Sequence, residues 1–346
     1  MTRVMITCVG GELMPYTIKY LKNIKNIKLT IIGTDNDINA TGKFFCDKFY
    51  AVPKGNHKSY ISKCIDIVKR EKVELIIPTS DEEAMALSKK KNLFNEKNVT
   101  IACIDYSTLK IINDKSKTYS RLAKAGIQVA KWDKIKSEKL LIEKLHIYFE
   151  KYGGAVVKPT SGRGSRNIFI ISKNKNKYVD NKNITKLDRI KDFYPILKKN
   201  NFLNNFIIMQ ELYEPVVDID LLSWRGNPIS IVPRKRNHPL LPNMGHTILE
   251  NKELVSLGKK IIKEFKLSWL YDCDVMFDKN KSPVVIEINP RQSGSIAVSI
   301  SAGYKIYENL IRLFLGKRMS VDTKYKEKII IPYNSLIEIK NTKPYN

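Results

Sequence analysis

Cysteines are few in this chain of 346 residues, and their spacing pairs none of them. The five are scattered, with no C-x-x-C among them: Cys8, Cys46, Cys64, Cys103 and Cys273. An odd number at irregular spacing argues against a disulfide framework and against the ligand spacing of a zinc site. We therefore predict reduced, buried thiols.

The chain also lacks any apolar run long enough to span a bilayer. Its first residues, MTRVMITCVGGELMPY, carry one arginine and then a short apolar stretch that leads into glycines, unlike the long apolar core of a signal peptide. This start predicts a first β-strand. We predict a cytoplasmic protein with no membrane partner.

Acidic residues are scarce, since 35 Asp and Glu stand against 61 Lys and Arg and the formal net charge is +26. Such a charge first suggests nucleic acid as a partner. Lysine, however, far outnumbers arginine and is spread almost evenly, whereas proteins that read nucleic acid tend to cluster arginine. We interpret the charge mainly as a solvated lysine-rich surface that also favours anionic substrates, and nucleic-acid binding is the disfavoured alternative.

Strand patterns alternate with amphipathic helix patterns in residues 1–106. Parallel strands need crossover connections, so this alternation predicts a doubly wound parallel sheet with helices on both faces. The four clearest strands are RVMITCV at 3–9, KLTIIGTD at 28–35, VELIIPT at 73–79 and VTIACI at 99–104. The whole chain is long enough for two or three packed domains.

Polar groups follow the strands of this first domain. Gly10 and Gly11 lack the full G-x-G-x-x-G spacing, so a structural turn is favoured over a cofactor loop. Asp35 would bind a ribose or, more commonly, cap the end of its strand. Residues 78–83, PTSDEE, would offer backbone amides to an anion, although helix capping explains them equally well.

Oxygen donors occupy two later strands, with Asp274 in the first and Glu287 and Asn289 in the second. Glu287 and Asn289 are two residues apart, so their side chains point to the same face of the strand. If the strands pair as a hairpin through DKNKSP, Asp274 lies opposite them. Carboxylate and amide oxygens, with no His or Cys, suit Mg²⁺. The alternative is a pair of strands with ordinary polar faces.

Lys158 lies in an otherwise apolar strand, AVVKPT, and the glycine-rich loop SGRGSR follows at 161–166. A buried ammonium needs an anionic partner. Gly162 and Gly164 permit a close approach of phosphate oxygens, which Arg163 and Arg166 would cover. The loop is not a P-loop, and taken alone the segment is more often a surface hairpin than a nucleotide lid.

Two further segments complete the pattern. Residues 209–213, MQELY, end a strand before Pro215 and would pair with an adenine edge, although a domain hinge is the better interpretation of that segment alone. Residues 233–236, PRKR, place three cations after a strand, where they would normally be solvated or, in a phosphate-handling cleft, would stabilise anionic charge.

The order of these features resembles the ATP-grasp superfamily, most nearly its carboxylate-amine ligases and its carbamoyl-phosphate-synthase-like branch. The signature Glu-x-Asn-Pro-Arg, here at 287–291, is quite specific in this context, and Asp114-Lys115 looks like the family's first lysine position. The resemblance covers roughly residues 1–316. It implies a mixed α/β and α+β fold, in which an N-terminal doubly wound parallel α/β domain precedes a two-lobed ATP-grasp fold. The expected segments are 1–106 for the first domain, 107–210 for the first lobe, 211–316 for the second lobe with the metal site, and 317–346 for a tail.

The resemblance implies a role for each matching residue. The catalytic residues would be Arg291, Arg234 and Lys158. The residues that contact ATP would be Lys115, Lys158, Gly162, Arg163, Gly164, Ser165, Gln210, Glu211, Leu212, Tyr213 and Asp218. Asp274, Glu287 and Asn289 would hold Mg²⁺, or Mn²⁺ in its place. One departure is Val216, where relatives commonly place a ribose-binding glutamate, and Asp218 on the same strand face would replace it.

The function that the resemblance implies is ligation: ATP activates a carboxylate as an acyl phosphate, and an amine then takes the acyl group. The small-molecule carboxylate and amine are not encoded in any motif, and we expect specificity in residues 10–12, 78–83 and 237–247. His238 and His246 flank Pro239 to Gly245 within the last segment, and a structural or surface role for them is favoured over a substrate-side role. An ATP-binding regulatory protein without turnover is the alternative. The sequence leaves open whether the chain forms a homodimer.

Overall fold

The computed structural model describes residues 1–162, 166–173, 184–199, 202, 205–320 and 327–338. The chain divides into two compact units. The larger unit comprises Met1–Lys110, Val217–Cys273 and Asn289–Asn346, and the smaller unit comprises Ile111–Val216 and Asp274–Ile288. The predicted segment boundaries at 106, 210 and 316 stay predictions.

The first part of the larger unit contains a five-stranded parallel sheet with the strand order β3-β2-β1-β4-β5. Its strands are β1 (Thr2–Ile6), β2 (Leu29–Asp35), β3 (Lys48–Ala51), β4 (Leu75–Ile77) and β5 (Thr100–Ile101). Its helices are α1 (Met14–Lys22), α2 (Tyr60–Glu71), α3 (Asp81–Lys89), α4 (Lys91–Asn95) and α5 (Tyr106–Ile112). The predicted doubly wound parallel sheet is confirmed.

The smaller unit is built on a second five-stranded sheet, of order β6-β10-β7-β8-β9. Its elements are α6 (Lys115–Lys124), β6 (Trp132–Lys134), α7 (Glu138–Tyr152), β7 (Gly154–Pro159), β8 (Ile168–Ser172), β9 (Ile184–Leu187), α8 (Tyr194–Lys199) and β10 (Phe206–Gln210). β7 and β8 form the predicted antiparallel hairpin. The rings of Phe169, Phe193 and Phe202 pack against one another in the core behind it.

A third sheet has six strands in the order β15-β14-β11-β12-β13-β16. The remaining elements are β11 (Tyr213–Trp224), β12 (Asn227–Arg236), β13 (His246–Ile248), α9 (Lys252–Phe265), β14 (Trp269–Phe277), β15 (Pro283–Asn289), α10 (Ile296–Ser301), α11 (Ile306–Phe314) and β16 (Ile329–Ile330). β14 and β15 are neighbours in this sheet, as the predicted hairpin requires. In the turn between them the backbone N–H of Asp278 donates to the carbonyl oxygen of Ser282.

Several boundaries predicted from sequence are wrong. The apolar pattern of residues 295–315 predicts one helix, but the structure has two, because Gly303 adopts a φ of +105° and turns the chain between them. The pattern of residues 81–91 also predicts one helix, which ends at Lys89, and α4 follows separately. The stretch 172–205, rich in Lys and Asn, predicts a surface helix and loops, yet it contains β9, which pairs parallel to β8. β3 was missed because its four residues show little apolar alternation.

The apolar stretch IIIPYNSLI in the tail predicts a packed edge strand. The two residues of β16 do pair with β13 at the edge of the third sheet. Their neighbours are not packed, however, because the large apolar side chains of this segment are exposed. Among the described residues, no helix is both long enough and apolar enough to cross a membrane.

Candidate active site

Lys158 is the central cation of the smaller unit. It projects from β7, its side chain is almost completely buried, and its Nζ donates hydrogen bonds to Tyr119 Oη (2.9 Å) and to the carbonyl oxygen of Ile286 (3.3 Å). Tyr119, on α6, donates its own hydroxyl proton to the same carbonyl at 2.5 Å. The ammonium is therefore positioned by the Tyr119 hydroxyl of α6 and the Ile286 carbonyl of β15, and both of these groups are uncharged.

The pKa of Lys158 is lowered to about 7, first by burial and then by the neighbouring charge of Lys115, whereas Glu287 and Asp274 act to raise it. No carboxylate of the described residues lies within ion-pair distance of Nζ. An ammonium that burial makes this unfavourable is stabilised by any anion that reaches it. The geometry therefore predicts that Lys158 faces an anionic ligand.

Lys115 lies at the start of α6, where the Asp114 side chain caps the helix by accepting from the backbone N–H groups of Ser116 and Lys117. The backbone N–H of Lys115 donates to the carbonyl of Thr160, at the end of β7 (2.7 Å). Its Nζ forms an ion pair with Glu287 Oε1 at 2.8 Å. The fold thus brings together both predicted phosphate-binding lysines and one predicted metal ligand.

Part of the glycine-rich loop lies outside the described residues, namely Arg163, Gly164 and Ser165. Gly162 is described and has a φ of +124°, in a region where side chains are strained. This backbone conformation accounts for the glycine at position 162.

The predicted adenine-bordering residues follow β10. The backbone N–H of Gln210 donates to the carbonyl oxygen of Lys131, and the side-chain oxygen of Gln210 accepts from the backbone N–H of Lys131. Glu211 is buried and accepts from the Ser172 hydroxyl at 2.6 Å. Leu212 packs in a small apolar cluster, whereas Tyr213 is partly exposed. The end of β10, the buried Glu211 and the exposed Tyr213 therefore follow one another in the segment that, taken alone, was interpreted as a domain hinge.

Gly154 makes room for Glu211. A Cβ at position 154 would stand 2.2 Å from Glu211 Oε2 and 3.0 Å from the carbonyl oxygen of Ile171. We expect Gly154→Ala to lower the free energy of unfolding by about 1–3 kcal/mol, because overpacking displaces a buried, hydrogen-bonded carboxylate. Urea unfolding measures the change. Gly294→Ala is the matched control, since its Cβ would meet nothing within 4 Å, and equal losses in both variants would contradict the steric argument.

Arg234 anchors a charge network in the larger unit. Its guanidinium is fully buried and donates to both oxygens of Asp220 (2.8 and 2.9 Å) and to the Ser295 hydroxyl (2.9 Å). The Ser299 hydroxyl donates to the same carboxylate at 2.5 Å. The sequence analysis assigned Arg234 a catalytic role and gave Asp220 none. Asp218 and Asp220 are two residues apart on β11, so their side chains share a face, and this spacing could have indicated Asp220.

Asp218 lies beside this network. It accepts from Arg236 Nε at 2.8 Å and lies 2.9 Å from His246 Nε2. Burial alone would raise the pKa of Asp218, but Arg236, His246 and Arg234 hold it well below its usual range. His246 is itself buried, and burial lowers its pKa. The favoured interpretation of His246 as structural agrees with these contacts.

The predicted metal ligands have one unforeseen neighbour. The Asn289 side-chain amide donates to Asp272 Oδ2 at 3.0 Å. Asp272 and Asp274 are two residues apart on β14, so they share a face. Carboxylate oxygens of Asp272 and Asp218 lie within 4.8 Å of each other. The sequence Tyr-Asp-Cys-Asp contained this alternation, but only Asp274 was singled out.

Arg291, two residues after the end of β15, contacts the start of α3. Its Nε lies 2.9 Å from Asp81 Oδ1, and its Nη1 donates to the backbone carbonyl of Gln292 at 2.7 Å. Asn243 donates to Glu12 at 2.7 Å. All three segments expected to carry specificity, 10–12, 78–83 and 237–247, therefore lie in the larger unit, and the first and third are in contact.

Asp35 has a structural role in the first turn. Its Oδ2 accepts from the backbone N–H of Gly10 at 2.7 Å, and a Cβ on Gly10 would stand 2.9 Å from the same oxygen. These contacts support the structural glycine turn over the cofactor loop. The helix that follows residues 78–80 is not capped by a side chain, since the Ser80 hydroxyl donates to Glu83 instead.

Comparisons with known proteins identify the fold. Residues 202–335 match the family described as ATP-grasp in the biosynthetic pathway with Ter operon, and residues 4–102 match the PylC-like N-terminal domain. The structure is similar to N5-carboxyaminoimidazole synthetase from Staphylococcus aureus, with a TM-score of 0.69 and 14% identity over 95% of this chain and 82% of that one. The chain has the ATP-grasp fold. No curated protein matches the sequence.

Two other solved structures are similar to this chain over most of its length. The L-amino acid ligase from Bacillus licheniformis has a TM-score of 0.63 and 14% identity over 91% of this chain and 74% of that one. The biotin carboxylase domain of 2-oxoglutarate carboxylase from Hydrogenobacter thermophilus, solved as a dimer with MgADP and bicarbonate, has a TM-score of 0.64 and 15% identity over 93% and 71%. The resemblance read from the ATP-grasp motifs is confirmed.

Proposed function

We propose that this protein is an ATP-dependent ligase that activates a carboxylate as an acyl phosphate and transfers the acyl group to an amine. The observation that carries the proposal is the buried Lys158, which has no ion-paired carboxylate in the part of the chain that the structure describes and stands near Lys115, Glu287 and Asp274 in an ATP-grasp fold. A triphosphate would supply the anionic charge that Lys158 lacks and that Lys115 shares only with Glu287. ADP and phosphate would be the other products.

ATP would be held from both ends. Lys115 and Lys158 would contact its phosphates, with Gly162 and the adjoining Arg163, Gly164 and Ser165 covering them. The adenine would border Gln210, Glu211, Leu212 and Tyr213. Asp218 would contact the ribose; although it already accepts from Arg236 and His246, a carboxylate has about four lone-pair sites and accepts further bonds.

Asp274, Glu287 and Asn289 would hold Mg²⁺ or Mn²⁺. Hard cations prefer oxygen ligands, and these residues offer two carboxylates and an amide. Because the amide nitrogen of Asn289 donates to Asp272, its carbonyl oxygen remains available as a ligand. A bound divalent cation would neutralise charge on the phosphates during transfer.

The first step would be attack of the substrate carboxylate oxygen on the γ-phosphorus, with ADP as the leaving group. Lys158 would hold the transferred phosphoryl group in line, so positioning and charge neutralisation supply most of the catalysis. Arg291 and Arg234 would face the transferred phosphate or the acyl phosphate, with Arg234 held by its bonds to Asp220 and Ser295. In the second step an amine attacks the acyl carbon, loses a proton and expels phosphate.

Nucleotide binding is expected to be coupled to proton uptake. At pH 8 a lysine whose pKa is about 7 is mostly neutral, and a triphosphate would raise that pKa and recharge it. We expect uptake of close to one proton per ATP bound at pH 8, measured by calorimetry in buffers of different ionisation enthalpy. Lys158→Met should abolish this uptake and weaken ATP binding about 10–100-fold.

Lys134→Met is the matched control for that experiment, because Lys134 is an exposed lysine of the same unit. It should leave both the uptake and the affinity unchanged. Wild-type ATP affinity in Lys158→Met would show that this lysine has only a structural role.

The decisive test of the function is release of phosphate from ATP. Purified protein with ATP and Mg²⁺ would be given amino acids and sugar acids as donors and a set of amines as acceptors, with the product mass determined for each pair. Phosphate release that requires both substrates, with the ligated mass, supports the ligase. ATP binding without substrate-dependent release of phosphate would indicate an ATP-binding regulatory protein. Retention on nucleic acid with a steep salt dependence would indicate a nucleic-acid-binding protein.

A further inference from the structure

Tyr119 is a buried tyrosine on α6 that no sequence motif singled out. Its ring is completely buried and packs edge to face against Trp132, with 5.8 Å between the ring centroids. The same apolar cluster contains Met209 and Leu212, from the segment expected to border adenine. A tyrosine side chain has only two rotatable torsions before its ring, so packing of the ring also fixes where the hydroxyl lies.

The hydroxyl of Tyr119 lies between a cation and a carbonyl group. It accepts a hydrogen bond from Lys158 Nζ at 2.9 Å and donates its proton to the carbonyl oxygen of Ile286 at 2.5 Å. A charged lysine has three donors and no acceptor, so the hydroxyl proton points away from Lys158. The ammonium also lies 5.5 Å from the centroid of the tyrosine ring, a distance at which the ring face attracts a cation. One side chain therefore holds the ammonium through two contacts.

The Lys158 ammonium keeps one donor for a ligand. Its bonds to the Tyr119 hydroxyl and to the Ile286 carbonyl use two of its three N–H groups, and the described part of the chain supplies no acceptor for the third. Because the three N–H groups diverge from one nitrogen, the first two bonds set the direction of the third. A phosphate oxygen in that direction would receive a charge-assisted hydrogen bond.

Tyr119 also connects this lysine to the strand that carries Glu287. Ile286 directly precedes Glu287 on β15, and Glu287 forms the ion pair with Lys115. Lys115 and Tyr119 are four residues apart on α6, so their side chains lie on one face of the helix. Phenylalanine would fill the same space in the apolar cluster, so packing alone does not require the hydroxyl.

We propose that Tyr119 is a positioning residue whose hydroxyl directs Lys158 toward the phosphates of the nucleotide. Tyr119 would then contribute to affinity for the phosphate chain and not to affinity for the nucleoside. The inference rests on the proposed role of Lys158 in holding ATP, but it does not require ligase turnover. A tyrosine that only supported the core would affect binding of the nucleoside and of the phosphates alike.

Tyr119→Phe removes the hydroxyl and keeps the ring. We expect the dissociation constant for ATP to rise about 3–20-fold, less than in Lys158→Met because the ammonium remains, and that for adenosine to change less than about twofold. Equilibrium binding of both ligands measures the two constants. Tyr148→Phe is the matched control, since Tyr148 is a buried tyrosine of the same unit whose hydroxyl donates to Asp133 at 2.6 Å. It should leave both constants unchanged.

A double-mutant cycle separates positioning from packing. If the hydroxyl acts through Lys158, Tyr119→Phe should change the ATP affinity less than about twofold in the Lys158→Met background. An equal loss in both backgrounds, or an equal loss for ATP and adenosine, would overturn the proposal. The ratio of the two affinities is internal to each variant, so a partly unfolded preparation does not mimic the expected result.

The same measurements distinguish this proposal from the proposed function. Weak ATP binding by Lys158→Met together with wild-type ATP affinity in Tyr119→Phe would overturn the role of Tyr119 alone. Wild-type affinity in both variants would remove Lys158 from the phosphate site, and the role of Tyr119 with it. Because the cycle measures binding only, ATP binding without substrate-dependent phosphate release would count against the ligase and would still test Tyr119.

Discussion

Glu287→Gln is expected to reduce the rate of substrate-dependent phosphate release by about 10²–10³-fold at saturating ATP. The substitution keeps the shape of the side chain and removes its charge. That charge forms the ion pair with Lys115 at 2.8 Å and raises the pKa of Lys158. In the proposed reaction it would also bind the divalent cation, so one substitution weakens three interactions at the transferred phosphate.

The measurement is phosphate release over a range of Mg²⁺ concentrations. A lost metal ligand should raise the Mg²⁺ requirement as well as lower the maximal rate, whereas a loss of folding would lower the rate alone. Glu143→Gln is the control, since Glu143 is an exposed glutamate on α7 of the same unit. Near-normal turnover of Glu287→Gln at low Mg²⁺ would remove Glu287 from the metal site.

Arg234→Met is expected to lower the free energy of unfolding by about 3–5 kcal/mol, the usual cost of leaving one member of a buried ion pair without its partner. Arg234 is 0% exposed, and so is Asp220, whose two oxygens it binds. Methionine fills the space of the side-chain stem but leaves that carboxylate with only the Ser299 hydroxyl. Urea unfolding at pH 7 measures the loss.

The double variant Arg234→Met with Asp220→Asn separates charge from packing. It removes the orphaned carboxylate, so it should recover part of the stability that the single variant loses. Lys235→Met, at the next position of the same strand, controls for the loss of a cation. If the single variant were as stable as the wild type, the bonds between Arg234 and Asp220 would not stabilise the larger unit.

Two arginines of β12, Arg234 and Arg236, show why pair contacts were hidden in the sequence. The run PRKR at 233–236 predicts a basic cluster, which by itself is usually solvated. Alternation along β12 instead buries Arg234 against Asp220 and directs Arg236 to Asp218, because β11 and β12 pair antiparallel in that register. A register between strands is a property of the sheet and not of either strand alone.

The residues that were chosen from motifs lie close together in the structure. Lys115, Lys158 and Glu287 were chosen from three segments far apart in sequence, and the structure brings all three into one cluster of the smaller unit. The roles assigned to them remain predictions. Asp272 was missed although it lies two residues from Asp274, because nothing in its own segment reveals the amide of Asn289 that binds it.

The sequence by itself determined the parallel sheet of residues 1–106, the β7–β8 and β14–β15 hairpins and the ATP-grasp resemblance, because periodicity, turn residues and motif order are local or linear properties. Tertiary structure alone decided that Lys158 is buried with a pKa near 7, that Arg234 is bound to Asp220, and that the apolar tail is exposed. Burial and pairing depend on which segments pack together. No stretch of sequence carries that information in isolation.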